Sequence, residues 1–460
     1  MLLRFGVSNH RSIRDYQEII FTASSLKDAD HGLMKPYLVN SDGLEDTVGE
    51  KLQVLPVTAI YGANAAGKST ILKAFSFFVD SIIYSHAGRK TSAGTFSTPF
   101  LLDEESREQP SAFDADFIVD GNRYHYGFTL NGKRILAEWL YEYPLNSKRL
   151  VRRVLFHRNP EEGEEFYFGK TLKGENKTIS KLVRDNSLFL SAAVQNAHPQ
   201  LTRIFNFFED KISHRLEDDH SSHSISRQVY AYFGNDQEGL SKAINFLQAA
   251  DVGISSVKFS QKPIPQITKQ LLKDMEEMFR KHVDTSEDLG FSNEDQRPEV
   301  KLLHIGENRN SFPIELGDES SGTLALLQIL GPVFKRLTEG GVLLVDELNI
   351  SLHPLVSKEL VKLFSHPDTN PGKAQLIFTT HDTSMLVTKL LRRDQIWFVE
   401  KDNDGASVIY SLSSIKVRST DNFERGYMEG RFGAVPLFGT NISSPLELQA
   451  IEPRSGEVEQ

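Results

Sequence analysis

Apolar positions in the first part of the chain predict two strands and a helix joined by a glycine-containing loop. Residues 2–7 are largely apolar and give way to a polar run over 8–12, which indicates an edge strand followed by a turn. A second apolar run over 53–61 leads through a loop into residues 69–84, where apolar side chains recur at helical spacing. This order predicts a strand–loop–helix unit.

The middle of the chain changes its pattern twice. Over 113–143 apolar and polar residues alternate, with turn signals at 120–122 and 131–132, which predicts an antiparallel meander. From about 195 to 300 the pattern becomes helical and polar. Because this stretch has no sustained heptads, we expect no long coiled coil.

Helices and strands alternate again after residue 301. The pattern predicts a helix over 324–337 and strands over 341–345, 375–379 and 395–400. Alternation of this kind is typical of an α/β sheet. The chain is therefore predicted to complete in its last third a sheet begun near residue 53.

Composition narrows the class of protein. The 460 residues are 39% hydrophobic and 25% charged, as in a globular protein, and the absence of cysteine excludes disulfides, thiol catalysis and cysteine-bound metal. A net charge of −10 argues against a protein that binds nucleic acid over its whole surface, but it allows a local basic patch. With no apolar amino-terminal signal and no run near the ~20 residues that cross a bilayer, we expect a cytoplasmic protein without a membrane partner.

The loop between the predicted strand and helix carries a pattern suited to phosphate. Backbone N–H groups of the loop and of the helix start can hold phosphate oxygens, Lys68 can add a charge, and the Ser69 hydroxyl can ligate magnesium. The alternative is a chance glycine-rich turn, which the strand–loop–helix context disfavours. The candidate nucleotide-binding residues are Gly62, Asn64, Ala65, Ala66, Gly67, Lys68, Ser69 and Thr70.

Two carboxylates end the apolar strand predicted over 341–345. Asp346 and Glu347 would lie at the carboxyl edge of the sheet, where ligands bind in α/β folds. Asp346 is then placed to hold the magnesium shell, and Glu347 to polarise an attacking water. Taken alone, the same pattern also fits a strand that simply ends in solvated acids.

Two further segments carry candidate site residues, which makes four such segments with the glycine-rich loop and the two carboxylates. Ser320, Ser321 and Gly322 precede the predicted helix over 324–337 and offer N–H groups for a second anion, best explained as the nucleotide of another copy. An ordinary helix cap is the alternative. His381 follows the strand over 375–379 and could contact the terminal phosphate, although a lone histidine at such a place is more often structural.

These four segments, in this order, resemble the motifs of ABC ATPases, especially SMC-like heads: Walker A GANAAGKS, signature LGDESSGT, Walker B VLLVDE and a switch histidine in THD. More narrowly, four stretches resemble compact bacterial ATPases of the abortive-infection and phage-defence type, relatives of the overcoming-lysogenisation-defect proteins. They are FGVSNHRSI, ESSGTLALLQIL, VDELNISLHP and ERGYMEGRFGAVP.

The resemblance implies an ABC-type head with an α/β P-loop NTPase fold, and it is weakest over 195–300. The meander and the helical stretch predicted from the residue pattern add an antiparallel β subdomain and a helical insertion to this head. The resemblance also implies ATP hydrolysis with Mg²⁺ in a head-to-head homodimer, with Lys68, Glu347 and His381 as catalytic residues and, often, a separate effector nuclease. The expected division is an amino-terminal head part over 1–195, an insertion over 196–300, a second head part over 301–440 and an acidic tail over 441–460.

Some positions fit the resemblance less closely. Ser321 stands where transporters have glycine, and no glutamine is singled out for the Q-loop role, although Gln109 is available. By the same resemblance, residues 349–353 fall where related heads have a D-loop across the dimer interface, and Asn9 and Arg11 fall at positions that lie near the nucleotide in similar heads. About sixty residues follow the last predicted strand, fewer than the ~100 of a typical domain, so a nuclease within this chain is not expected.

Two other stretches leave alternatives open. The three histidines of 214–223 could form a metal site, or the stretch could be a solvated loop. The basic run over 148–153 could contact nucleic acid, or it could be an exposed strand face or part of an interface. The leading hypothesis is an ATPase that acts as sensor, scaffold or regulator of an effector in bacterial anti-phage defence. The alternatives are a DNA-repair or chromosome-associated ATPase and a nucleotide-gated assembly protein with incidental turnover.

Overall fold

A computed structural model gives the fold of the chain. The residues that it describes are 1–26, 32–34, 51–90, 92–146, 148–160, 163–216, 221–250, 253–282, 296–387, 390–418 and 421–435. The acidic tail expected over 441–460 lies outside the described residues.

Strands and helices are numbered in chain order. The strands are β1 (Leu2–Ser8), β2 (Gln17–Ile20), β3 (Val57–Gly62), β4 (Ser111–Val119), β5 (Asn122–Leu130), β6 (Ile135–Pro144), β7 (Arg153–Arg158), β8 (Phe166–Phe168), β9 (Ile212–Arg215), β10 (Ile254–Pro263), β11 (Gln296–Ile305), β12 (Ser311–Glu315), β13 (Val342–Val345), β14 (Gln375–Thr379), β15 (Ile396–Lys401) and β16 (Ser407–Ser411). The helices are α1 (Lys68–Tyr84), α2 (Glu104–Glu108), α3 (Asn176–Ser180), α4 (Phe189–Gln195), α5 (Leu201–Lys211), α6 (Ser222–Phe233), α7 (Gln237–Ala249), α8 (Gln266–His282), α9 (Ser321–Glu339), α10 (Pro354–Ser365), α11 (Ser384–Val387) and α12 (Phe423–Met428).

The central sheet has the order β16–β15–β3–β14–β13–β9 and is parallel except for β16. Its strands β3, β13, β14 and β15 match the strands predicted from the sequence to within a few residues at each end. The parallel arrangement brings the carboxyl ends of β3, β13 and β14 to one edge. Of the predicted site residues, the 62–70 loop, Asp346, Glu347 and His381 follow these strand ends, whereas Ser320, Ser321 and Gly322 lie at the start of α9.

The second large sheet is antiparallel, with the order β2–β1–β4–β5–β6–β7–β8. The predicted meander forms β4, β5 and β6. The prediction of β1 as an edge strand was wrong, because β1 pairs with β2 on one side and β4 on the other. A strand's own pattern shows its burial but not the number of its neighbours, and here the short β2 takes the edge.

Two hydrophobic clusters cover the two faces of the central sheet. Along β13, Val342 and Leu344 point into the first cluster, and Leu343 and Val345 point into the second, as the two-residue period of a strand requires. The first cluster joins α1 to the antiparallel sheet through aromatic rings such as Phe78, whose centroid lies 5.4 Å from that of Phe128. The helix after the phosphate loop is thereby clamped between two sheets.

The segment over 196–300 is not simply a helical insertion. It contains α5 to α8, but β9 pairs with β13 in the central sheet, and β10 and β11 belong to a three-stranded antiparallel sheet with β12. The apolar side of α5 packs into the first cluster. The strands were missed because β9 has four residues and the polar positions of β10 and β11 hide their alternation.

In the part of the chain that the structure describes, no helix is long and apolar enough to span a membrane.

Candidate functional site

The loop between β3 and α1 has a backbone that only small residues allow. Gly67 has φ +111°, and a Cβ atom there would collide with the Ser407 hydroxyl. A Cβ atom at Gly62 would collide with the carbonyl oxygen of Val399 on the neighbouring strand. Ala65 also has positive φ, at 62°. The glycines of the motif are therefore explained by close packing of the loop against β15 and β16.

Three hydroxyl groups hold this loop in place, and we call Ser12, Thr70 and Ser407 the hydroxyl clasp. Ser407 Oγ donates to the carbonyl oxygen of Ala66 at 2.7 Å and lies 2.8 Å from Ser12 Oγ. Ser12 Oγ donates to Thr70 Oγ1 at 3.1 Å, so the predicted ligand Thr70 supports the loop. Sequence reasoning missed Ser12 and Ser407. Ser12 lies inside the quoted stretch FGVSNHRSI, but nothing in the sequence links it to Ser407.

Lys68 begins α1 and turns back over its own loop. Its Nζ donates to the carbonyl oxygens of Gly62 at 3.1 Å and Ala63 at 3.2 Å, and it lies 2.9 Å from Nε2 of His381. Burial lowers the pKa of Lys68, and the nearby carboxylates of Glu347 and Asp346 only partly oppose this effect. An anion bound in the loop would supply the missing negative charge.

The two carboxylates after β13 are oriented by Thr379 at the end of β14. Thr379 Oγ1 donates to Asp346 Oδ1 at 2.6 Å and accepts from the backbone N–H of Glu347 at 2.7 Å. Glu347 has φ +52°, which turns its side chain away from the line of the strand. Its Oε1 atom lies 3.3 Å from Nε2 of His381. Lys68, Glu347 and His381, which lie far apart in the sequence, therefore meet at the sheet edge.

Asn349 fixes the position of His381 from the segment just after Glu347. Its Oδ1 accepts from Thr380 Oγ1 at 2.7 Å and from the backbone N–H of His381 at 3.3 Å. The sequence placed Asn349 in an interface loop and did not indicate this contact. A polar residue two positions after a strand-end carboxylate is the only sequence signal for it.

Ser69 and Asp346 were predicted to bind magnesium, and their oxygens suit that role. Among the described residues, neither the Ser69 hydroxyl nor Asp346 Oδ2 has a hydrogen-bond partner. Hydroxyl and carboxylate oxygens are hard ligands of the kind that Mg²⁺ prefers. Elsewhere within the described ranges, no group of three or more His, Cys, Asp and Glu is arranged to hold a metal ion. The histidine tract over 214–223 lies partly outside the described residues, at 217–220.

The signature residues form the start of α9. Ser320 caps the helix, because its Oγ accepts a hydrogen bond from the backbone N–H of Thr323 at 3.1 Å. This contact fits the alternative stated above, in which the segment is an ordinary helix cap. Ser321 is exposed, and Gly322 packs so closely on Ser351 that an added Cβ would lie 2.8 Å from its carbonyl oxygen. No hydrogen bond or ion pair in the described part of the chain joins these three residues to the loop over 62–70.

The side chain of Asn9 meets the backbone of Gln109 beside α2. Asn9 is buried, and its Nδ2 donates to the carbonyl oxygens of Ser106 at 2.7 Å and Gln109 at 2.8 Å, so its side chain anchors the segment around α2. Gln109 ends that helix with an exposed side chain. Arg11 is exposed, and its backbone N–H donates to the carbonyl oxygen of Thr98.

The basic run over 148–153 is exposed, but it lies mostly before β7. The expectation that this run forms part of a strand was therefore wrong for most of its residues.

With this geometry described, comparisons with known proteins give the family. The model of a family described as "AAA domain, putative AbiEii toxin, Type IV TA system" matches residues 57–386, more than half of the chain. The chain belongs to this family, and its fold is that of an α/β P-loop ATPase. No curated protein matches the chain in sequence.

Solved structures similar to the chain include heads of SMC proteins. An SMC head bound to the C-winged helix domain of ScpA is 14% identical with a TM-score of 0.38, and the alignment covers 90% of this chain and 99% of that one. The SMC head domain from Thermotoga maritima is 12% identical, with the same coverage and TM-score. An SMC head from Pyrococcus furiosus, bound to the C-terminal domain of ScpA, is 12% identical with a TM-score of 0.32, covering 94% and 98%.

Proposed function

We propose that this member of the AAA family binds MgATP and hydrolyses it at two composite sites, each completed by a second copy of the chain. The observation that carries the proposal is the meeting of Lys68, Glu347 and His381 at one sheet edge, with separations of 2.9 Å and 3.3 Å around Nε2 of His381. A cation, a carboxylate and an imidazole beside a phosphate-binding loop supply the groups that phosphoryl transfer to water needs.

The residues divide the reaction among them. Loop N–H groups over 62–69 hold the phosphates, and Lys68 Nζ leaves the carbonyl oxygens of Gly62 and Ala63 for a phosphate oxygen. Magnesium, held by Ser69 and Asp346, would offset phosphate charge. Glu347 accepts a proton from water as the water oxygen bonds to the γ-phosphorus. The bond from that phosphorus to the bridging oxygen then breaks, and ADP leaves with both electrons of the bond.

His381 couples nucleotide binding to this chemistry. Its Nε2 can accept a hydrogen bond from Lys68 or donate one to Glu347 or a phosphate, but it cannot do both in one tautomer. When ATP draws Lys68 away, Nε2 becomes able to donate. The site then has one arrangement of these three residues without nucleotide and another with it.

A second copy is needed because the chain presents two half-sites. The start of α9 carries N–H groups and the helix dipole, and Ser321 there is exposed. Its lack of any bond to the 62–70 loop in the described part of the same chain supports a role opposite the nucleotide of a partner copy. Two such contacts related by a twofold axis would close a homodimer.

The biological role that we propose is control of a separate effector in bacterial anti-phage defence, and analogy alone suggests that this effector is a nuclease. The description of the family as a putative AbiEii toxin supports a role in such systems. ATP-dependent closure of two heads would set the state of the effector, and hydrolysis would reset it.

Glu347→Gln tests both parts of the proposal. Expressed with its neighbouring genes and purified in MgATP, the variant should retain ATP in a two-copy particle together with a companion protein, as seen by native mass spectrometry. Lys68→Ala is the matched control and should yield neither bound nucleotide nor an ATP-dependent dimer. Ordinary turnover by Glu347→Gln would refute the catalytic assignment, and an ATP-bound dimer without a companion would refute the effector role alone.

A further inference from the structure

The outer face of the antiparallel sheet, opposite α1, carries a set of aromatic side chains. On β6, Trp139, Tyr141 and Tyr143 are half-buried on this face, and the alternate residues Glu138 and Leu140 are buried toward the core. A gap in the neighbouring strand accommodates the indole of Trp139, which lies over Gly127. We call this surface the aromatic face, and its members are His125, Trp139, Tyr141, Tyr143, His157 and Tyr167.

The aromatic face runs across strands as well as along β6. Trp139 lies opposite His157 on β7, and His157 lies opposite Tyr167 on β8. The rings of His157 and Tyr167 are 5.0 Å apart, and Tyr167 is 51% exposed. On the other side, the ring of His125 stacks on Tyr141 at 5.9 Å. The rings therefore form a continuous surface over β5 to β8.

Guanidinium groups lie over these rings. The guanidinium carbon of Arg123 is 5.3 Å from the ring centroid of Tyr143, and that of Arg152 is 5.1 Å from the centroid of Tyr141. Arg152 belongs to the run over 148–153, whose exposed charged residues are all basic. An aromatic surface edged by arginine and lysine suits a ligand that has both flat rings and negative charge.

Two acids of the sheet near His125 are paired with bases. Asp116 lies 3.2 Å from Arg4 Nε and 2.7 Å from Arg123 Nη2, and Asp114 also contacts Arg4. Glu142 alternates with the aromatic residues of β6, so it is buried on the opposite side, and it lies 3.5 Å from Arg153. The carboxylates therefore do little to repel an anion at this face, although the whole chain has a net charge of −10.

We propose that the aromatic face and the basic run over 148–153 together bind single-stranded nucleic acid. Side chains two positions apart on a strand are spaced by about 6.6 Å, roughly twice the 3.4 Å rise of stacked bases in one strand of a duplex. Bases that stack on Trp139, Tyr141 and Tyr143 must therefore be separated from one another. A single strand permits this separation, and a duplex does not.

Fluorescence anisotropy of the full-length chain tests the proposal. The probes are a labelled oligothymidine of about 20 nucleotides, long enough for more than one binding site, and a duplex of equal length. The single strand should bind more tightly. Tyr143→Ala and Arg152→Ala should each weaken its binding by roughly tenfold. In Arg152→Ala the slope of log affinity against log salt should fall by about 0.7 for each phosphate that the variant no longer neutralises.

Conservative variants separate binding from folding. Tyr143→Phe keeps the ring and should bind as the wild type does, and Lys242→Ala, which removes an exposed lysine on α7, should have no effect. ATP turnover should be unchanged in all of these variants, so failure here is distinguishable from failure of the ATPase proposal. In Trp397→Phe, Trp139 is the remaining tryptophan, and its fluorescence should be quenched by the single strand.

Several results would overturn the proposal. They are the absence of oligothymidine binding at low salt, binding that Tyr143→Ala and Arg152→Ala leave unchanged, and equal affinity for the duplex. A protein partner that needs Tyr143 and Arg152, found without any oligonucleotide binding, would likewise overturn it and assign the face to protein recognition.

Discussion

The Nζ atom of Lys68 lies 2.9 Å from Nε2 of His381, so a residue at the start of α1 and one just after β14 share a contact at the carboxyl edge of the central sheet. A charged ammonium can only donate in this contact, so the direction of the hydrogen bond depends on the charge of Lys68 and on the tautomer of His381. Since the same Nε2 is 3.3 Å from Glu347, the three side chains form a connected set whose hydrogen bonds depend on where Lys68 points.

The lowered pKa of Lys68 predicts that ATP binding takes up a proton at alkaline pH. Burial disfavours the charged ammonium, whereas a bound phosphate favours it and raises the pKa. Between the lowered pKa and the ordinary value of about 10.4, Lys68 is neutral without ATP and charged with it. ATP affinity should therefore fall as pH rises through this window. Calorimetry in buffers of different ionisation enthalpy measures the proton uptake.

Lys68→Arg is the control for this measurement. Arginine remains protonated throughout the window, so any ATP that this variant binds should bring no proton with it. Equal uptake by the wild type and Lys68→Arg would show that another group takes the proton.

Ser407→Ala should loosen the nucleotide loop. The variant leaves the carbonyl oxygen of Ala66 without its donor, at a cost of about 1–3 kcal/mol in unfolding free energy, and it should weaken ATP binding. Urea denaturation and ATP titration measure the two effects. Ser413→Ala, a nearby serine outside the clasp, should leave ATP affinity unchanged. If Ser407→Ala binds ATP as tightly as the wild type, the hydroxyl clasp has no role in nucleotide binding.

The lowered pKa of His10 predicts that the folded chain loses stability in mild acid. Burial, with a smaller effect from Arg11, lowers the pKa of His10 to about 4, against an ordinary value of 6.5. Between these values the unfolded chain binds a proton that the folded chain does not. His10 therefore lowers the unfolding free energy by about 1.4 kcal/mol for each pH unit of acidification from about 6.5 toward 4.

The comparison that isolates His10 is with His10→Phe. The ring of His10 stacks on Phe77 at 5.4 Å, and phenylalanine keeps this aromatic packing without a titrating group. Urea denaturation at several pH values should give a shallower pH dependence for the variant than for the wild type. Parallel pH profiles would mean that His10 has the same pKa in the folded and the unfolded chain.

The sequence predicted β3, β13 and β14 of the central sheet because each is a short, continuous apolar run with a predicted site residue just after it. Glu347 and His381 were identified by their positions just after β13 and β14, and Lys68 by its glycine-rich loop. Their meeting results from parallel strands, whose carboxyl ends share one edge. These residues could be named in advance because local pattern and sheet topology agree.

The contacts that the sequence did not predict join segments far apart in the chain. Ser12 meets Ser407, and β9 joins β13 from within a segment predicted as helical. Serine is common in turns, and a four-residue strand carries little periodicity, so neither pattern identifies its partner. The neighbours of β1 are likewise determined by tertiary packing, and the alternation within β1 does not reveal them.

The central claim, that two copies share each ATP site, is tested most directly by complementation of two inactive variants. Lys68→Ala loses the lysine of the phosphate loop but keeps the signature residues at the start of α9. Ser321→Glu keeps its loop but places a negative charge where the partner's phosphate would lie. Each should hydrolyse almost no ATP alone. Ser321 is exposed at the start of α9, where an acid favours the helix, so this variant should remain folded.

Mixed in equal amounts, the two variants should recover about one quarter of wild-type turnover, because half of the dimers are mixed and each of these has one intact site of its two. This recovery should depend on protein concentration. Full activity of Ser321→Glu alone, or no recovery from a mixture shown by native mass spectrometry to contain mixed dimers, would contradict the shared site.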